Sequence, residues 1–209
     1  MIIQNIATKI LELEKRFDEI SSARKDLLND FARYISEKLR SDKIVNLNFI
    51  CTHNSRRSHM SQIWAQTASE YFEIPNIHCF SGGTEATAFN PRSVRAIRNA
   101  GFKIDQENES DNPIYLVHFS EKKEPLQCFS KVYNDNFNPQ KDFAAIMTCS
   151  HAEKNCPVVF GAEKRFSIKY EDPKEFDGTT LEEEKYRERF EQIGIEMIFV
   201  FKEIMNMLK

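Results

Sequence analysis

The apolar run Ile44 to Ile50 passes directly into Cys51-Thr52-His53-Asn54-Ser55-Arg56-Arg57-Ser58, and helix-like sequence resumes at Ser58. Few folds accept such a junction. The run reads as a strand of a buried parallel sheet, and the loop after it turns successive backbone N–H groups and a helix N-terminus toward one point. A tetrahedral anion fits there. The same field favours thiolate over thiol at Cys51, and the planar fork of Arg57, five residues beyond the cysteine's neighbour on the loop's far side, can clamp two oxyanion oxygens.

The rest of the chain continues the alternation of strand and helix. Val45 to Ile50, Ile77 to Ser81, Phe143 to Thr148 and Arg165 to Tyr170 read as strands. Ser58 to Phe72, Pro91 to Ala100 (ended by Gly101) and Thr180 to Leu208 read as helices, the last with Phe190, Ile193, Met197, Phe201 and Ile204 on one side. This order predicts an α/β fold, a four-stranded parallel sheet flanked by helices, with ligands at the carboxyl ends of the strands. Cys51, Cys149 and the loop after Tyr170 all lie at such ends.

Two segments fall outside that pattern. Ile3, Ile6, Ile10, Leu13, Phe17 and Ile20 recur at spacings of three and four, and Leu27, Phe31, Ile35 and Leu39 carry a second helical face. Residues 1–42 therefore read as an N-terminal helical extension before a catalytic domain spanning 43–209. Ser21-Ser22 either separates two antiparallel helices or lies within one long helix. The extension is expected to pack on its own domain or on a neighbouring subunit, which leaves a homo-oligomer through these helices open. Within 107–141, the β-rich runs Ile114 to Phe119 and Leu126 to Tyr133 predict an inserted hairpin, expected as an extra sheet edge more than as a lid.

Composition excludes several classes. With 209 residues, net charge −3 and pI near 6.0, the chain has the size of one domain with an appendage and no basic footprint for nucleic acid. No apolar run is long enough to span a membrane, and the first residues resemble neither a secretory nor a transit segment, so a cytoplasmic location is expected. Five cysteines, an odd number, fit a reducing compartment better than a disulfide framework. Cys149 and Cys156 lack the second closely spaced pair of a zinc site, so no metal or other cofactor is expected. Cys79 and Cys128 read as structural.

Four stretches carry a family resemblance. They are Cys51 to Ser58, Ser81-Gly-Gly-Thr-Glu-Ala with Asn90-Pro91, Glu171-Asp172-Pro173, and Cys149-Ser-His-Ala-Glu-Lys-Asn-Cys156-Pro157. Over residues 44 to 208, apart from the insertion, the chain resembles the low-molecular-weight protein tyrosine phosphatase family, and more closely its thioredoxin-coupled arsenate reductase branch. The resemblance implies that Cys51 attacks an arsenate or phosphate-type oxyanion held by the loop from Thr52 to Ser58. Asp172 would be the general acid, with Glu171 and Asp177 as weaker alternatives. Ser58 would donate its hydroxyl to the thiolate, and Asn54 and Ser55 would buttress the loop.

In the resembled mechanism Cys149 attacks the Cys51 adduct, Cys156 attacks Cys149, and thioredoxin reduces the final disulfide. The alternative is a phosphatase that hydrolyses phosphomonoesters through a phosphocysteine. A silent anion-binding scaffold working through the N-terminal helices is a third reading, against which Cys51, Arg57 and Asp172 together argue. Three positions depart from the family pattern. His53 replaces a usual glycine, Arg56 a frequent cysteine, adding charge without evident need, and Gln62 stands where potassium-binding members tend to carry glutamate.

Overall fold

The structure, a computed structural model, describes residues 1–155 and 158–209. Four strands, β1 (Val45–Cys51), β2 (Ile77–Gly83), β6 (Phe143–Met147) and β7 (Ala162–Ser167), form one sheet in the order β2-β1-β6-β7, every pair parallel. Side chains of a strand alternate between faces, and both faces of this sheet are apolar. Ala144 and Ile146 of β6 join the main core, whereas Phe143, Ala145 and Met147 join a smaller cluster with Ile50, Cys149 and Ala152 on the other side. Burial on both faces explains why these strands appear in the sequence as apolar runs.

The main core is organised by α6 (Glu182–Leu208), which packs against α1 (Gln4–Glu14), α2 (Ser22–Arg40), α3 (Arg57–Tyr71) and α4 (Pro91–Asn99). Gly194 sits where three helices meet. A Cβ there would come within 2.8 Å of the Trp64 ring on α3 and 2.9 Å of Leu13 on α1. Trp64 Nε1 donates to the Phe190 carbonyl at 2.9 Å, so the indole's polar edge is satisfied inside the core.

The N-terminal helices pack on their own chain. Ile6, Ile10 and Leu13 are fully buried, as are Leu28, Phe31 and Ile35, and a fully buried aliphatic side chain contributes roughly 1.5–3 kcal/mol. The stripe does not continue as one helix: after α1 comes a 3₁₀ turn (Phe17–Glu19), and Ser21 caps α2 by accepting from the Arg24 amide at 3.3 Å. Before α1, Ile3 N donates to Phe119 O and Ile2 bridges Ser120, which ties the extension to the insertion.

The insertion forms a sheet of its own instead of the expected added edge. Its hairpin, β4 (Tyr115–His118) and β5 (Leu126–Cys128), is joined by β3 (Lys103–Gln106) in an antiparallel sheet of order β3-β4-β5. The return from β5 runs along the main sheet: Gly83 N donates to Lys131 O and Tyr133 N to Gly83 O, Asn48 Nδ2 of β1 donates to Tyr133 O and Asn138 Nδ2 to Ser81 O. No helix among the described residues is long and apolar enough to cross a membrane.

Candidate active site

The loop from β1 to α3 is held from outside through its carbonyls. Cys51 O accepts from Thr84 N, Thr52 O from Glu85 N and Thr84 Oγ1, His53 O from Ser130 Oγ (2.8 Å) and Thr87 Oγ1, and Ser55 O from Asn90 N. In a trans peptide the carbonyl and the following N–H point in opposite directions. The amides of Thr52, His53, Asn54 and Arg56 therefore point away from these outer donors, toward the concave side of the loop. The α3 N-terminus at Arg57 closes that concavity and adds its dipole. Gly83 permits the close approach of β2: a Cβ there would meet Asn54 N and Thr52 O at 2.7 Å.

Within the loop the polar side chains are bonded to one another and to the segments around it. Cys51 Sγ is 3.1 Å from Ser58 Oγ, which in turn accepts from Asn54 Nδ2 at 2.9 Å. Asn54 Oδ1 takes the Lys131 amide at 3.0 Å, and Asn54 itself has φ 44°. The left-handed position thus falls on an asparagine, which tolerates it, while His53 is not among the positive-φ residues. That resolves the glycine-to-histidine departure: the backbone at 53 makes no demand for glycine, and the imidazole faces outward, 3.6 Å from Glu85. Ser55 Oγ donates to Ala88 O at 2.7 Å.

Arg57 and Asp172 meet across the site. Arg57 Nη1 donates to Tyr170 O at 2.9 Å, Nη2 to Asp172 Oδ2 at 2.7 Å, and its buried Nε has no partner among the described residues. Asp172 also caps the 3₁₀ turn Pro173–Phe176 by accepting from Lys174 N. Arg56, whose charge the sequence left without evident need, is buried: Nε donates to Tyr186 OH at 3.0 Å and Nη1 lies 3.8 Å from Asp172 Oδ2. Tyr186 OH passes the bond on to Asp177 at 2.8 Å, and burial followed by that contact pushes its pKa up to about 12. Asp177 therefore supports Arg56, while Asp172 touches both arginines. No sequence pattern links Arg56 to Tyr186, 130 residues away.

Cys149 stands against the same loop. Its thiol is 1% exposed, 3.4 Å from Thr52 Oγ1, and accepts from Ala152 N at 3.3 Å within α5 (Ser150–Asn155). Thr52 Oγ1 is also 3.3 Å from His151 Nδ1. Cys156 and Pro157 lie outside the described residues. Burial pushes the Cys128 thiol up to about 12 and the Cys79 thiol higher still, so neither competes as a thiolate at neutral pH. Gln62 is buried, with Nε2 donating to Cys79 O.

Sequence reading missed Lys131, which lies beneath the loop. It is 3% exposed, donates from Nζ to Phe129 O at 3.2 Å and lies over the Phe129 ring at 4.3 Å. Burial lowers its pKa from 10.5 to about 8. Its own burial first, and then the nearby Lys131 charge, keep the enclosed His59, stacked on Phe89, well below the usual imidazole range. Below pH 8 both folded and unfolded chains carry the Lys131 proton, and the fold bears the cost of an enclosed ammonium. Between pH 8 and 10.5 the unfolded chain holds more protons, so stability rises with pH, by up to about 3 kcal/mol. Lys131→Met is expected to be more stable than wild type by ~1–3 kcal/mol at pH 6.5 and to lose the alkaline rise. Urea unfolding at pH 6.5 and 9.5 checks both.

No protein-family model matches the chain. Among curated proteins, arsenate reductase 2 of Staphylococcus epidermidis is 29% identical over 126 residues, covering 60% of this chain and 76% of the relative. The arsenate reductase of Bacillus licheniformis is 28% identical over 140 residues, 66% of this chain and 79% of its own. Solved structures agree in fold. A low-molecular-weight protein tyrosine phosphatase from T. tengcongensis aligns over 76% of this chain and 99% of its own, at 16% identity and TM-score 0.51. The YwlE arginine phosphatase from Geobacillus stearothermophilus aligns over 78% and 94%, at 13% identity and TM-score 0.51. Sequence similarity to the reductases and the shared fold converge: this chain is an enzyme, similar in sequence to arsenate reductases and built on the low-molecular-weight protein tyrosine phosphatase fold.

Proposed function

We propose that the enzyme reduces arsenate to arsenite by a three-cysteine relay. The Cys51 thiolate attacks arsenic(V) and displaces a hydroxyl, which leaves as water on taking a proton from Asp172, to give a Cys51–S–As adduct. The Cys149 thiolate then attacks Cys51 Sγ; the S–As bond breaks, its electron pair stays with arsenic, and arsenite leaves. Cys156 next attacks Cys149 Sγ, releasing the Cys51 thiolate and forming the Cys149–Cys156 disulfide. A dithiol protein of the thioredoxin kind takes up that disulfide by exchange and becomes oxidised in turn. The observation that carries this reading is the Cys149 thiol 3.4 Å from Thr52, the residue next to the nucleophile, where hydrolysis of a phosphocysteine requires no second thiol.

Arg57 gives the anion step its geometry. With Nη1 on Tyr170 O, its Nε and Nη2 can meet two oxyanion oxygens once the anion displaces Asp172 from Nη2. The freed carboxyl is then beside the leaving oxygen. The same arrangement serves the second reading, a phosphomonoester phosphatase, which the fold of the solved relatives favours. Mass spectrometry after a single arsenate turnover without external reductant tests the relay. One disulfide joining Cys149 and Cys156 is expected; a disulfide joining any other pair, or five reduced cysteines with no arsenite formed, would overturn it.

A further inference from the structure

The N-terminal extension reaches the catalytic arginine. On α2, Arg24 donates from Nε to Glu196 Oε1 (3.0 Å) and from Nη2 to Glu196 Oε2 (2.7 Å), a two-pronged pair, and Nη2 also reaches Lys169 O at 3.2 Å. The guanidinium lies 5.1 Å from the Tyr170 ring centroid, and Tyr170 OH donates to the same Glu196 Oε2 at 2.7 Å. Both Glu196 and Tyr170 are almost wholly buried. The backbone of Tyr170 is fixed on one side by its N–H on Thr148 O, and its carbonyl takes Arg57 Nη1 at 2.9 Å. Two residues on is Asp172.

We propose that Arg24 is a positioning residue for the oxyanion site, through which the extension sets the seat of Arg57 and the direction of the Asp172 loop. Removing its charge leaves Glu196 as an enclosed carboxylate with Tyr170 OH as its remaining partner. The carboxylate then protonates or draws in water, and the Tyr170 ring loses both its anchor and the cation above it. Tyr170 O moves with the backbone, and Arg57 Nη1 loses the acceptor that aims Nε and Nη2 at the anion. The paired glutamate and tyrosine lie on α6 and beside β7, with Arg189 of α6 also near them, but the guanidinium that bonds Glu196 comes from α2, in a segment that the sequence resemblance does not cover. The inference rests on Proposed function for the chemistry measured, and its geometry needs only that the loop binds an oxyanion.

The test uses the full chain and inorganic phosphate as the probe, with dissociation constants read by isothermal titration calorimetry. Arg24→Gln is expected to weaken phosphate binding at least fivefold and to lower kcat for p-nitrophenyl phosphate about tenfold. Arg24→Lys, which keeps a charge for Glu196 without the fork that reaches Lys169 O, is expected to recover part of both. Lys9→Gln breaks another ion pair between the extension and α6, to Glu191 at 2.7 Å, with no route to Tyr170, and should leave phosphate affinity within twofold. In an Asp172→Asn background, Arg24→Gln should cost kcat less than it does in wild type, because the carboxyl is gone and only the effect through Arg57 remains. Equal weakening by Lys9→Gln, or wild-type phosphate affinity in folded Arg24→Gln, would overturn the proposal. Wild-type protein that binds phosphate yet turns over neither arsenate nor p-nitrophenyl phosphate would sink the proposed function while the affinities still decide Arg24. Absence of phosphate binding by wild type would overturn both.

Discussion

Cys51→Ser is expected to lower turnover of both arsenate and p-nitrophenyl phosphate at least a thousandfold while phosphate still binds. The loop stabilises negative charge on sulfur through the Ser58 hydroxyl at 3.1 Å and the N-terminus of α3. A serine hydroxyl stays protonated in the same field, because its ionisation lies far above neutral pH, and among the described residues no base stands within bonding distance to take the proton. Oxygen is also smaller than sulfur, so the attacking atom falls short of the anion. Binding uses other groups: the amides aimed inward by the outward carbonyl bonds, and Arg57. Calorimetry with phosphate separates the two effects. A serine variant that retains a tenth of the wild-type rate would remove Cys51 from the role of nucleophile, and loss of binding with the rate would show a collapsed loop.

The parts of this site that lie close in sequence were legible there. Cys51, Asn54, Arg57 and Ser58 belong to one loop, and the burial of β1 and β6 on both faces makes those strands continuous apolar runs. Asp172 stood out by the family motif around it, since Asp-Pro alone reads first as a turn, and it does cap one. What stayed hidden depends on contacts between distant segments. The function of Arg56 becomes clear only when α6 brings Tyr186 beside it, and that of Arg24 only when Glu196 and Tyr170 meet under α2. Lys131 reads as a surface residue until Phe129 and Phe137 enclose its ammonium. Strand β3 was missed because three of its four residues are exposed, which erases any apolar run. Helix α5, six residues long, is too short for periodicity to register.

Cys149→Ser is expected to separate reduction from hydrolysis. Arsenate turnover with a thioredoxin system should fall at least a thousandfold, while p-nitrophenyl phosphate hydrolysis stays within about threefold of wild type. Serine keeps a hydroxyl beside Thr52 Oγ1 and an acceptor for Ala152 N, so the loop and the start of α5 retain their bonds. What disappears is the sulfur that must form a bond to Cys51 Sγ as arsenic takes the electron pair. The Cys51 adduct then has no route to arsenite, and its mass should appear on the intact protein after arsenate is added without reductant. Equal arsenate reduction by both forms would end the relay and move the electron transfer to an external thiol acting directly on Cys51. Parallel loss of both activities would give Cys149 a packing role against Thr52, and the phosphatase reading would then rest on the loop, Arg57 and Asp172 alone.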